Sequence, residues 1–187
     1  GVEPEPSRLE KVLQVIGEQD ADIIGLQETK VTRGEENELV HALRLRGQYP
    51  YDVVFDNNVG WVQRTGAALF SKIAPSSSRC VGERVKAVQM VYPFSIGNLS
   101  ICNAYLSHVS EQARLPQIRE VLQELRCYEH SILLGDFNSL SPEDGIPASA
   151  VNSFSPRMME KYCRGGKPCY DTVEAVLEEG FVDVGIR

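Results

Sequence analysis

Two short apolar runs, each ending abruptly in acid and amide side chains, constrain this chain more than any other feature. Ile132-Leu133-Leu134 runs straight into Gly135-Asp136-Phe137-Asn138. A continuous apolar run closed by a turn signal reads as a buried strand. Such a strand carries one carboxylate and one carboxamide to the end of a sheet, and the glycine lets backbone or ligand come close. A carboxylate there can hold a water or a metal ion, and a carboxamide can donate to an anionic oxygen. Asp22-Ile23-Ile24-Gly25-Leu26-Gln27-Glu28-Thr29-Lys30 repeats the theme, with Glu28 just past the apolar stretch.

The rest of the pattern interleaves helices and strands. Ser7-Arg8-Leu9-Glu10 is a capping box opening an amphipathic helix that ends near Gln19-Asp20, with Leu9, Val12, Leu13, Val15 and Ile16 on its apolar face. A strand over Asp22–Leu26 follows, then a second helix from Glu35 to about Leu45. Strands are expected over Tyr51–Phe55, Ala67–Ser71, Val85–Tyr92 and Leu99–Tyr105. A long helix spans about Ser110 to Arg126, with Leu115, Ile118, Val121, Leu122 and Leu125 at helical spacing. Residues 141–169, rich in Ser, Pro and Gly, read as an irregular insertion. Asp171-Thr172-Val173 opens a last helix stopped by Gly180, and Phe181–Val184 reads as one more strand start. Helices flanking a block of consecutive strands indicate an α/β layered domain.

Four segments carry a family resemblance: Leu26-Gln27-Glu28-Thr29-Lys30, Gly66-Ala67-Ala68-Leu69-Phe70-Ser71-Lys72, Asn103-Ala104-Tyr105-Leu106 and Gly135-Asp136-Phe137-Asn138. In this order and at this spacing the chain resembles the endonuclease/exonuclease/phosphatase superfamily (exonuclease III, apurinic endonucleases, DNase I and related phosphatases) over nearly its whole length. The resemblance implies a four-layer α/β sandwich, two packed mixed β-sheets with helices on both outer faces, as one domain over residues 1–187. It further implies a Mg²⁺- or Mn²⁺-dependent phosphoesterase working by in-line attack of water. Glu28 would hold the metal, Asp136 would orient the water, Asn138 would position the phosphoryl group, and Tyr105 would hydrogen-bond an equatorial oxygen. Asn103 is expected to be structural.

The substrate class stays open between a nucleic-acid phosphodiester, DNA above all, and a small phosphoester or lipid headgroup. Tyr105 matches the nuclease branch, whereas Leu106-Ser107-His108 departs from it. The formal net charge of −7 supplies no global field for a polyanion. A catalytically inactive interaction module on the same scaffold is the reading from another class. The retained Glu28, Asp136 and Asn138 argue against it.

Other side chains are weaker candidates for substrate contact. Trp61, Gln63 and Arg64 precede the Gly66 segment, where Trp could stack on a base and Arg could clamp a phosphate. His108 follows Tyr105 in a loop, and a polar loop histidine is more often a bystander. His41 and His130 read as helix-surface residues. Arg164-Gly165-Gly166-Lys167 could cradle an anion but lacks the spacing of a phosphate loop, so a plain turn is favoured. Five cysteines, odd in number and without paired zinc spacing, read as reduced thiols of a cytoplasmic monomer. No apolar run has the length of a membrane span.

The resemblance also implies parts that this sequence does not contain: a Trp-Asn pair on a first strand, a later Asp-Tyr strand and a closing Ser-Asp-His. On that ground the 187 residues are expected to be a portion of a longer enzyme, weakly stable and inactive when expressed alone.

Overall fold

The computed structural model describes residues 7–31, 37–55, 64–82 and 85–185. Helix α1 (Arg8–Gln19) opens on the expected capping box: the Glu10 N–H donates to Ser7 Oγ and the Ser7 N–H to Glu10 Oε2. Strand β1 (Ile23–Val31) follows, then α2 (Glu38–Arg46), β2 (Tyr51–Val54), β3 (Arg64–Ser71), β4 (Ser77–Val81), β5 (Lys86–Phe94) and β6 (Gly97–Tyr105). Beyond them come α3 (Glu111–Leu125), β7 (His130–Asp136), α4 (Ala148–Val151), α5 (Pro156–Tyr162), the short hairpin β8 (Cys163–Arg164) and β9 (Lys167–Pro168), and α6 (Asp171–Glu178).

The strands form two larger sheets. The first has the order β1-β3-β2 and is antiparallel throughout its described strands. The second has the order β4-β5-β6-β7; it is mixed, because α3 carries the chain across so that β7 runs parallel to β6. Alternation along each strand then sorts the core into three slabs. Ala67 and Leu69 of β3 meet Val88, Met90 and Tyr92 of β5 and Ile101 and Tyr105 of β6 between the sheets. Ala68 and Phe70 point the other way, onto Leu13 of α1 and Val40 and Leu43 of α2. Ala87, Cys102 and Ala104 pack outward against Ile118, Val121, Leu122 and Leu125 of α3 and Val176 of α6. Helices, sheet, sheet, helices: the expected four layers are present.

Several local expectations need correction. α2 starts at Glu38, because Asn37 caps it by accepting from the Leu39 and Val40 N–H groups. Strand β4, Ser-Ser-Arg-Cys-Val, went unread because four of its five residues are exposed and polar composition masks an edge strand. The 141–169 segment is not irregular but holds α4, α5 and the β8–β9 hairpin. Gly165 and Gly166 sit at φ +59° and +76° in the tight turn of that hairpin, and Arg164 pairs with Asp171, so this stretch is a turn and not an anion cradle. Phe181–Val184 forms no strand. His130 opens β7 and does not lie on a helix. Trp61 and Gln63 lie outside the described residues, as does the Arg64 side chain.

Candidate active site

Side-chain parity fixes what gathers at one end of the sandwich. Lys86 of β5, Tyr105 of β6 and Asp136 of β7 are successive register partners, Lys86 opposite Tyr105 and Tyr105 opposite Asp136. Partners in register point to the same face, and that face is the one covered by the first sheet, since Tyr105 belongs to the inter-sheet core. Lys86 Nζ lies 5.3 Å from the Tyr105 ring centroid and 3.3 Å from Thr65 Oγ1.

Glu28 reaches the row from the opposite sheet through a β-bulge. Gln27 pairs with Ala67 and Thr29 with Gly66, which leaves Glu28 as the extra residue at φ +56°. A bulge re-aims one side chain, and its left-handed position usually belongs to glycine. A glutamate there costs about 1–2 kcal/mol of backbone strain, a cost borne where the acid is aimed at a site. Its Oε1 accepts from the Tyr105 phenol at 3.2 Å. Next to it, Thr29 is buried and its hydroxyl meets no partner among the described residues.

Asn103 holds the two sheets in this relation. Fully buried, it donates from Nδ2 to the carbonyls of Leu26 on β1 and Ala68 on β3, both at 2.9 Å, and accepts from Gln27 Nε2 at 2.7 Å. Every polar atom of the carboxamide is used, so its role is structural, as expected. Gly25 makes room for it, because a Cβ there would stand 2.2 Å from Leu134 Cδ1 and 3.2 Å from Asn103 Cγ.

At the end of β7 the backbone turns sharply. Gly135 has φ +142°, and an added Cβ would stand 1.9 Å from the Ala104 carbonyl oxygen. Asn138, at φ +52°, donates its N–H to Asp136 Oδ1 at 2.8 Å. Its carboxamide donates to the Leu106 carbonyl at 3.1 Å and accepts from Lys161 Nζ at 2.7 Å. A carbonyl only accepts and an ammonium only donates, so these two partners define which way the amide faces.

The Tyr105 phenol is held above its ordinary pKa. Burial is the largest cause; the hydrogen bond to Glu28 and the charges of Glu28 and Asp136 act in the same direction, against a hydrogen bond with Thr65. The phenol therefore senses both carboxylates and stays protonated through neutral pH. It has one O–H, and that O–H donates to Glu28; a bond to substrate would require this donor to turn.

Beneath the site lies an ion pair that sequence reasoning missed. Arg114 is fully buried and Glu111 nearly so. The guanidinium donates to Glu111 Oε2 from Nε at 3.0 Å and Nη2 at 2.6 Å, to the Ser107 carbonyl at 3.2 Å and to the Lys161 carbonyl at 2.6 Å. Glu111 also accepts from Ser139 Oγ and from the Thr172 N–H. One buried pair thus ties the loop after β6, the loop after β7, the end of α5 and the start of α6. A signal existed: Glu111 and Arg114 fall on the same stripe of α3 as Ile118, Leu122 and Leu125. Lys161, inside the segment read as irregular, gave no such signal.

The chain therefore brings together Glu28, Tyr105, Asp136 and Asn138. His108 is exposed in the loop that follows Leu106. The five thiols are free; Cys163 and Cys169 form no disulfide. Among the described residues there is no group of three or more His, Cys, Asp and Glu side chains that could hold a metal, and no helix long and apolar enough to cross a membrane.

The chain belongs to the endonuclease/exonuclease/phosphatase family, whose profile matches residues 2–175. Its fold is similar to that of an AP endonuclease from Archaeoglobus fulgidus at 20% identity and a TM-score of 0.64, over 95% of this chain and 67% of that one. It is also similar to ANGEL2, a 2',3'-cyclic phosphatase, at 17% identity and a TM-score of 0.56, over 72% of this chain and 44% of that one. A third similar structure is the 3' phosphatase NExo from Neisseria bound to a product DNA hairpin, at 21% identity and a TM-score of 0.52, over 70% of this chain and 52% of that one. The chain thus spans about half the length of the last two. No curated protein matches the sequence. The family takes in phosphoesterases and nucleases, and the similar structures include an AP endonuclease and two phosphatases.

Proposed function

We propose that the protein hydrolyses a phosphoester by direct attack of water on phosphorus. One observation carries this reading: Glu28 from one sheet and Tyr105 and Asp136 from the other meet at one end of the sandwich, the phenol donating to Glu28 and shifted by both acids. Two of the three polar groups are anchored by backbone geometry that ordinary packing does not need, a strained bulge and a glycine turn.

The donor set suits Mg²⁺ or Mn²⁺. Glu28 is exposed, with one oxygen taken by Tyr105 and the other available. A hard divalent ion needs only one or two carboxylates beside waters and substrate phosphate, so the lack of a larger acidic cluster among the described residues fits it. Bound at Glu28, such an ion would offset negative charge on the phosphate.

The chain's own groups divide the remaining work. Asp136 has Oδ1 held by the Asn138 N–H, which leaves Oδ2 for the attacking water. The carboxylate orients that water and takes its proton as the new P–O bond forms. The bond to the leaving oxygen breaks on the opposite side, and that oxygen leaves with a proton from solvent. Tyr105 fixes the Glu28 carboxylate. Asn138 keeps one amide N–H beyond its bond to Leu106, enough to meet a phosphoryl oxygen.

Hydrolysis of bis(p-nitrophenyl) phosphate and of an abasic-site DNA duplex, with Mg²⁺ or Mn²⁺, tests the reading on the intact protein that carries this sequence. Asp136→Asn should lower kcat by about 10²–10⁴-fold, the usual range for a positioned base. Turnover undiminished by Asp136→Asn excludes the role given to that carboxylate. No hydrolysis of either substrate, with no binding of Mg²⁺, would favour an interaction module on the same scaffold.

A further inference from the structure

The site described above holds two carboxylates, with the Lys86 ammonium beside the Tyr105 ring on β5, and a phosphate entering it on the Asn138 side needs a further cation. Lys161, at the end of α5, brings one. Its ammonium sits 2.7 Å from Asn138 Oδ1 and 4.8 Å from the Tyr162 ring centroid. Among the described residues it meets no carboxylate within salt-bridge distance. An ammonium carries three donors and only one is used on Asn138, so two remain for an anion. Of the other basic side chains of this segment, Arg164 pairs with Asp171, and Arg157 and Lys167 are exposed.

The placement of Lys161 is built and not incidental. Its own carbonyl accepts 2.6 Å from the fully buried Arg114 guanidinium, which is clamped in turn by Glu111. The next carbonyl, of Tyr162, accepts from the Cys169 N–H at 2.8 Å, and the Arg114 guanidinium stacks 5.8 Å from the Tyr162 ring centroid. Here the backbone is held by a buried ion pair, and the head by the Asn138 carboxamide, which donates to the Leu106 carbonyl while the Asn138 N–H holds Asp136.

We propose that Lys161 is a substrate-binding residue: its ammonium, seated on Asn138, takes a non-bridging oxygen of the phosphate. Asn138 then acts on the substrate in two ways, through its remaining N–H and as the seat of this cation. The inference rests on the phosphoesterase reading for what the anion is. It does not rest on it for where the anion binds.

The test is calorimetric titration of inorganic phosphate into the intact protein, with bis(p-nitrophenyl) phosphate turnover measured in parallel. Lys161→Gln keeps a donor to Asn138 and removes the charge; Lys161→Arg keeps both. Loss of a charged hydrogen bond should weaken phosphate by about tenfold or more in Lys161→Gln, with KM for the diester rising and Tm unchanged, while Lys161→Arg stays within about threefold of the parent. Phosphate affinity equal in Lys161→Gln and the parent overturns the proposal, and so does a parent that binds no phosphate. A parent that binds phosphate through Lys161 yet hydrolyses no phosphoester sinks the phosphoesterase reading and leaves this one standing.

Discussion

Replacing Arg114 by methionine removes the charge that holds four segments together under the site. The side chain has no exposed surface, and its partner Glu111 is 7% exposed. Methionine fills much of the volume, so the cost is mainly electrostatic. Glu111 keeps only the Ser139 hydroxyl and the Thr172 N–H, and the Ser107 and Lys161 carbonyls lose a donor. An uncompensated buried charge costs about 3–5 kcal/mol, roughly a fifth or more of what holds a typical domain folded. Glu111→Leu should cost a similar amount by stranding the guanidinium. The double variant strands neither charge, so its cost should fall below the sum of the singles by about 2 kcal/mol or more. Urea unfolding of the four proteins, followed by circular dichroism, closes the cycle. A loss under about 1 kcal/mol in Arg114→Met, or strict additivity in the double, would refute the claim that this pair organises the site.

Two further outcomes follow from the geometry. Gly135→Ala sets a Cβ against the Ala104 carbonyl at a φ that side chains rarely adopt, so it should destabilise by about 3 kcal/mol or more; an unchanged urea midpoint would contradict the observed turn. Burial pushes the Cys102 thiol from its ordinary value of 9.0 up to about 12, against a small opposing effect of Arg79. A folded pKa raised above the unfolded one means the folded state binds more protons between the two values. Stability is therefore complete below about pH 9 and falls toward about pH 12, by about 1.4 kcal/mol per pH unit for a single proton, and Cys102→Ala should flatten that alkaline limb in urea midpoints measured against pH. Tyr105 and Tyr92, also raised by burial, add the same sign above about pH 10.

What the sequence disclosed follows the physics of local signals. The capping box at Ser7, the apolar stripe of α3 and the acid-tipped strands are all encoded within a few residues, and each was legible. Glu28 was read as lying just past its strand, whereas β1 runs on to Val31 and carries it at a bulge set by the β1–β3 register, a long-range property that no window of sequence carries. Tyr105 was expected to reach a phosphate oxygen, and in the fold its O–H donates to Glu28, a cross-sheet contact that sequence does not show. Lys161 escaped because the segment around it has little periodicity and its partner, Asn138, is 23 residues away. Phe181–Val184 is apolar enough to read as a strand start yet forms none, for apolar composition does not state whether a partner strand lies beside it. Exposed Val182 and Val184, at 82% and 83%, are the result.

The account stands on one convergence, of an acid carried by a bulge in the first sheet with an acid and a phenol at the ends of strands in the second. Crystals of the intact protein grown with Mn²⁺ and a phosphorothioate diester, measured at the manganese absorption edge, address it directly. The expected map has an anomalous peak bound to the Glu28 carboxylate, with the phosphorothioate lying between that peak and Asp136. A bare Glu28 carboxylate, with Mn²⁺ and diester bound elsewhere on the molecule, would contradict it.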